Sequence, residues 1–188
     1  MSIALPLSIE ELISRHSESF QFLHFWGHRA TRDGRISASC FSQWFPAPFT
    51  ENGQHYPSAE HYMMAAKARL FGDEVCAQKI LANPDPSAAK AFGRTVQGFA
   101  EEPWLAEREQ IVLQASLLKF AQNPAMLAFL LASKGKVLVE ASPLDRIWGI
   151  GLSATDTAAN HPEQWQGLNL LGFALMKARN QLATETMP

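Results

Sequence analysis

The chain has 188 residues and a mass of 20.8 kDa, the size of one compact domain whose core needs no disulfide or metal staple. Hydrophobic residues make up 47% and charged residues 18%, a globular composition that excludes a disordered chain. With 16 Lys+Arg against 18 Asp+Glu, the net charge of -2 excludes a strongly basic nucleic-acid clamp but leaves room for a local basic pocket for a phosphate.

Along the chain, residues 1–19 read as an N-terminal appendage: a short helix over Leu7–His16, then a polar hinge at Ser17–Ser19. Phe20–Trp26 is dense in aromatics and predicts a buried strand. Gly27–Ser37, with Arg29, Arg32, Asp33, Gly34 and Arg35, reads as a polar turn or hairpin tip, and Cys40–Phe49 is aromatic again. Glu51-Asn52-Gly53 is a turn signal before a second short strand, Gln54–Tyr56. After Pro57 the pattern becomes helical. Ser58 is placed to cap a helix to Leu70, Asp73 one to Ala82, and Asp85 one over Pro86–Phe92 that Gly93 stops. Trp104–Phe120 is a long helix, Asn123-Pro124 starts another to Leu131, and Lys136–Glu140 is the best strand after residue 60. Leu168, Leu171, Leu175, Ala178 and Leu182 form the apolar stripe of a last helix. The fold class is α+β, a predominantly α-helical single domain with a few short strands; residues 20–183 form the domain and 184–188 a flexible tail.

Two constellations carry chemistry. Glu60 and Lys67 lie seven residues apart on one helix, which puts both on one face about 10 Å apart along the axis. The plain structural alternative, a carboxylate stabilised by the helix dipole and a solvated lysine, is favoured by spacing alone. The second constellation follows the strand that ends at Glu140: Asp145, Arg146, Trp148, Gly149 and Gly151. Loops held by a strand end commonly build sites. Here Asp145 can accept a proton or bind a sugar hydroxyl, Trp148 can stack, and Gly149 lets backbone approach a ligand. A surface Asp-Arg pair and a core tryptophan explain the same residues equally well. Trp104 serves as well as a core anchor. No HxxxH or HExxH spacing exists among the six histidines, so no metal site is expected. Cys40 and Cys76 form no CxxC pair and read as buried thiols. The start lacks a basic leader, and the longest apolar stretch, Met126–Ala132, is far short of the ~20 residues that span a bilayer. The expectation is a cytoplasmic protein with no membrane partner.

Taken in order, FWG at Phe25–Gly27, CFSQWFPAPF at Cys40–Phe49, YPSAEHYMMAAKA at Tyr56–Ala68, FGR at Phe92–Arg94, LLKFAQN at Leu117–Asn123, LVEASPLDRIWGIG at Leu138–Gly151 and WQGLNLLGFALMKAR at Trp165–Arg179 resemble the NADAR, or YbiA-like, family. The resemblance covers Phe22 to Leu182. It departs at Gln43, where many relatives have Asn, a change that lengthens the reach of the amide. The resemblance implies an N-glycosidase, acting on phosphoribosylamino-pyrimidine intermediates of riboflavin synthesis or on ADP-ribosylated guanine, free or in a nucleic acid, with no cofactor. Breaking a ribose C1–N bond passes through an oxocarbenium-like state, so a carboxylate near C1 and a proton donor are needed. The implied catalytic residues are Glu60, Asp145 and Lys67, the last as a Schiff-base amine. The implied substrate-binding residues are Trp148, Arg146, Arg94, Gly149, Trp26, Gln43 and Trp104, the arginines on phosphate. The rival reading is a pocket that binds ADP-ribose or a nucleotide without turnover.

Overall fold

The structure is a computed structural model and describes residues 4–15 and 17–185. Its described residues form seven α-helices and four short strands in one α+β domain. The first strand, β1 (Gln21–Phe25), does not turn back through the arginine-rich segment as a hairpin. It pairs in parallel with β4 (Lys136–Glu140), from Gln21 opposite Lys136 to Phe25 opposite Glu140. A parallel pair needs a long crossover, and five of the seven helices lie in this one. Residues 26–37 are a connection, with Gly27 and Gly34 at positive φ. β4 is the buried strand, with Val137, Leu138 and Val139 fully enclosed, whereas β1 buries only Phe25.

The second sheet is the expected tight hairpin. β2 (Phe49–Glu51) pairs antiparallel with β3 (Gln54–Tyr56). Asn52 and Gly53 have φ of 49° and 79°, the two left-handed positions that a type I′ turn requires.

The helices are α1 (Ile9–Ser14), α2 (Ala59–Leu70), α3 (Glu74–Ala82), α4 (Pro86–Gly93), α5 (Glu101–Ala121), α6 (Pro124–Ala132) and α7 (Leu170–Glu185). α2 packs on α3, α4 and α5; α5 packs on α7, and α7 covers β4. Asp73 and Asp85 cap α3 and α4 through the amides of Cys76 and Ser87. Ser58 occupies the N-cap of α2, but its hydroxyl pairs with His61 Nδ1 at 2.8 Å instead of the helix backbone. Asn123 likewise stands at the N-cap of α6 while its amide donates to the carbonyls of Lys119 and Pro48.

α1 is shorter than expected, and His16 lies outside the described residues. The segment is docked rather than appended: Leu12 is 1% exposed in the core, and α1 contacts the short 3-10 turn at Pro162–Gln164. At the other end, Thr184 and Glu185 continue α7, and residues 186–188 lie outside the described residues. The apolar stripe of α7 is buried at Leu171, Leu175, Ala178 and Leu182, but Leu168 precedes the helix and is 40% exposed. Among the described residues no single helix is long and apolar enough to cross a membrane.

Candidate active site

Glu60 stands in the first turn of α2 and is 2% exposed. Its amide donates to the carbonyl of Gln43 at 3.0 Å, which satisfies one of the free N–H groups at the helix start. Of its carboxyl oxygens, Oε1 is buried without a hydrogen bond. Burial pushes its pKa up to about 7; Lys90, the Trp44 indole and Arg94 pull it down, and the charge of Asp145 adds to the rise. Lys90 lies with its ammonium 5.7 Å from the centre of the Trp44 ring.

A second carboxylate shares this field. Glu140 ends β4, and its Oε2 is also buried without a partner. Its pKa is pushed up to about 8 by burial first, then by the charge of Asp145, with Lys90 opposing and Glu60 adding a little. The backbone around it is fixed from several sides. Its N–H donates to Asn169 Oδ1 at 2.9 Å, while Asn169 Nδ2 donates to the carbonyl of Leu138 at 2.9 Å. Its carbonyl accepts from the amide of Ile150 at 2.9 Å. Asn169, itself buried at φ 53°, thus serves the edge of β4 as a neighbouring strand would.

Asp145 is tied into its own turn. Its Oδ1 accepts from the amides of Ile147 at 2.9 Å and Trp148 at 2.8 Å. Gly149 has no room for a side chain: a Cβ there would lie 2.8 Å from the Glu140 carbonyl and 3.0 Å from that of Asp145. The glycine lets the loop pack closely against the end of β4 and on itself. Trp148 is half-buried against the core, and Arg146 reaches Gln166 Oε1 at 3.0 Å from an exposed position.

The remaining candidates fall into three surroundings. Gln43 is 6% exposed; its Nε2 lies 3.6 Å from Met63 Sδ and its Oε1 has no partner. Arg94, at the C-cap of α4, is exposed and acts on Glu60 through its charge. Trp26 is 60% exposed beyond the end of β1.

Lys67 has other neighbours than Glu60. Its ammonium donates to the carbonyl of Gly93 at 2.8 Å and lies 4.4 Å from the centre of the Phe99 ring and 5.5 Å from that of Trp104. Burial lowers its pKa, with the nearby Cys76 thiol opposing the shift. The cation that faces Glu60 is Lys90, which comes from α4 and not from the same helix face. Lys90, Trp44 and Glu140 were missed as candidates in the sequence, although Trp44 lies inside the CFSQWFP block and Glu140 inside LVEASPLDR.

Among the described residues no group of three or more His, Cys, Asp and Glu is arranged to hold a metal ion. Two surface cavities lie away from the carboxylates. One, of about 370 Å³, is lined by α5 and α7 residues, and one of about 670 Å³ lies between α1, the start of β1 and residues 160–163.

Two carboxyls with raised pKa, one buried and one part-buried, that share the charges of Lys90 and Asp145 define a class of site suited to proton transfer beside a developing positive charge. The NADAR domain family model matches residues 24–183. N-glycosidase R617 of Acanthamoeba polyphaga mimivirus is 44% identical over 170 residues, covering 87% of this chain and 98% of that protein. N-glycosidase YbiA of Escherichia coli is 32% identical over 156 residues, covering 83% and 87%. The NMR structure of the E. coli protein YbiA superposes with a TM-score of 0.70 at 27% identity, over 96% of this chain and 95% of that one. The chain belongs to the NADAR domain family.

Proposed function

We propose that the protein is an N-glycosidase, a hydrolase that breaks the bond between ribose C1 and a base or amine nitrogen. The observation that carries this reading is Glu60: a fully buried carboxyl with an unpartnered oxygen, whose pKa burial pushes up to about 7 against the pull of Lys90 and Arg94. The names of the mimiviral and bacterial relatives support it. As C1–N breaks, positive charge develops at C1 and the ring oxygen. Ionised Glu60 stabilises that charge and takes a proton from the water that attacks C1. Asp145 orders the 145–148 turn and adds negative potential to the same region. Arg94 and Arg146, exposed at the site's edge, suit a substrate phosphate.

The substrates this reading favours are phosphoribosylamino-pyrimidines of riboflavin synthesis and ADP-ribosylated guanine. Direct attack by water needs nothing of Lys67. A Schiff base at Lys67 would require that amine to leave the Gly93 carbonyl and the two rings.

The test incubates the wild type and Glu60→Gln separately with each substrate class and follows the freed base by mass spectrometry. Release by the wild type alone is expected. Binding of ADP-ribose with no release from either substrate class would replace the enzyme by a binding module.

A further inference from the structure

Resting on the N-glycosidase reading, we propose that Glu140 is the acid that protonates the departing nitrogen, working as a pair with Glu60 on the opposite task. Three oxygens are buried without partners on three elements: Gln43 Oε1 on the turn after the 3-10 helix at Ala38–Phe41, Glu60 Oε1 on α2 and Glu140 Oε2 at the end of β4; the two carboxyls share the charges of Asp145 and Lys90. A buried polar atom left unpaired is costly, so such unpaired oxygens are the form a site takes when its partners arrive with the substrate. Asp145 is the less suitable acid, because its Oδ1 is already occupied by two backbone amides that set the turn.

The groups acting on Glu140 divide the work. From the loop, Asp145 raises its proton affinity; Lys90 of α4 opposes this, and Glu60 of α2 adds slightly. Phe25 of β1, its register partner, brings no charge. Lys90 and Arg94 both favour the ionised form of Glu60, while Arg94 does not act on Glu140. Glu60 therefore gives up its proton first, the order that a base–acid pair requires.

The step balances. The O–H of the Glu140 carboxylic acid transfers its proton to the leaving nitrogen. The C1–N electron pair goes to that nitrogen, and a water oxygen bonds to C1 while Glu60 takes the water's proton. The products are the free base or amine and the C1 hydroxyl sugar. One water is consumed, and exchange of a proton with solvent restores the pair.

The experiment measures kcat/KM against pH for wild type, Glu140→Gln, Glu60→Gln and Lys90→Met on whichever substrate class the wild type cleaves. General acid catalysis contributes about 10²–10⁴-fold, so Glu140→Gln is expected to lose at least about 100-fold and to lose the alkaline limb of the profile. Glu60→Gln is expected to release no base at any pH. Lys90→Met keeps both carboxyls and is expected to move both limbs to higher pH, which tests the assignment should Glu140→Gln fold poorly. An unchanged alkaline limb in Glu140→Gln, or limbs in Lys90→Met that stay where the wild type has them, overturns the proposal. Loss of release from the wild type itself overturns the N-glycosidase reading instead.

Discussion

Replacing Glu60 by Gln is expected to stabilise the fold, increasingly so as the pH rises, while abolishing turnover. Burial lifts the Glu60 pKa from an ordinary 4.5 to about 7, so the folded protein holds a proton that the unfolded chain releases. Between those values the native state binds more protons than the unfolded state, and stability falls as pH rises. The favourable contribution is complete below the unfolded value and lost as pH climbs through the folded one. At about 1.4 kcal/mol per unit, ionising Glu60 costs about 3 kcal/mol by pH 8 and less than about 1 kcal/mol at pH 5. A glutamine is nearly isosteric with the neutral acid and escapes this cost. For a domain of this size, where 1 kcal/mol moves Tm by about 2–4 °C, the Tm advantage of Glu60→Gln over wild type should widen by about 5–10 °C from pH 5 to pH 8. Thermal denaturation of both proteins at the two pH values measures it. A Tm difference that does not change with pH refutes the argument, because it would mean that Glu60 titrates alike in both states.

Asp145→Asn keeps an oxygen for the Ile147 and Trp148 amides, so its Tm should stay within a few degrees of wild type; Asp145→Ala strands both donors and should lose about 1–3 kcal/mol, read by urea denaturation. Removing the Asp145 charge also lowers the proton affinity of Glu60 and Glu140, so the pH–rate profile of Asp145→Asn should shift toward acid. Sodium borohydride added during turnover should leave Lys67 unmodified by peptide mass mapping, since its amine is occupied by Gly93 and two rings; a ribosyl adduct on Lys67 would establish the Schiff-base route. Gly149→Ala places a methyl 2.8 Å from the Glu140 carbonyl, an overpacking that should cost about 1–3 kcal/mol and lower kcat more than it changes substrate binding.

What the sequence made legible was local. Capping aspartates at 73 and 85, the Asn52-Gly53 turn and the KVLVE strand act through neighbours a few residues away, and each appears where expected. The parallel pairing of β1 with β4 was illegible, because register across a crossover depends on packing of the intervening helices and not on either strand's own pattern. The role of Ser58 was misread for a related reason: its hydroxyl is captured by His61, whose other ring nitrogen lies 2.8 Å from the Asn83 carbonyl. In the site, Glu60 stood out as an acid on an apolar helix. Glu140 did not, since an acid at a strand end is ordinarily a solvated one. Its setting comes from the 145–150 loop and Asn169, which bond back onto the end of β4. Lys90 was hidden in a helix whose sequence, PSAAKAFG, gives no sign of which way its one charge points.

The arrangement explains why rigid backbone and perturbed carboxyls occur together here. Two raised carboxyls and an unpartnered amide oxygen all disfavour the unliganded fold. They persist only if nothing nearby can move to hydrate or pair them. The scaffold removes that freedom at each point: Asn169 pins β4 on both sides of Val139, the Asp145 turn closes on its own amides, and Gly149 packs against the Glu140 carbonyl. The fully buried Lys119 does the same on the far side, donating to the Ser42 carbonyl at 2.8 Å and so holding the segment that carries Gln43 and Trp44. Its amine, driven down to about 8 by burial, is a costly anchor that an apolar residue could not replace without freeing that carbonyl. Strain at the carboxyls and over-determination of the backbone around them are therefore one feature of the fold, and a substitution that loosens any of these anchors should relax the carboxyl pKa values before it unfolds the domain.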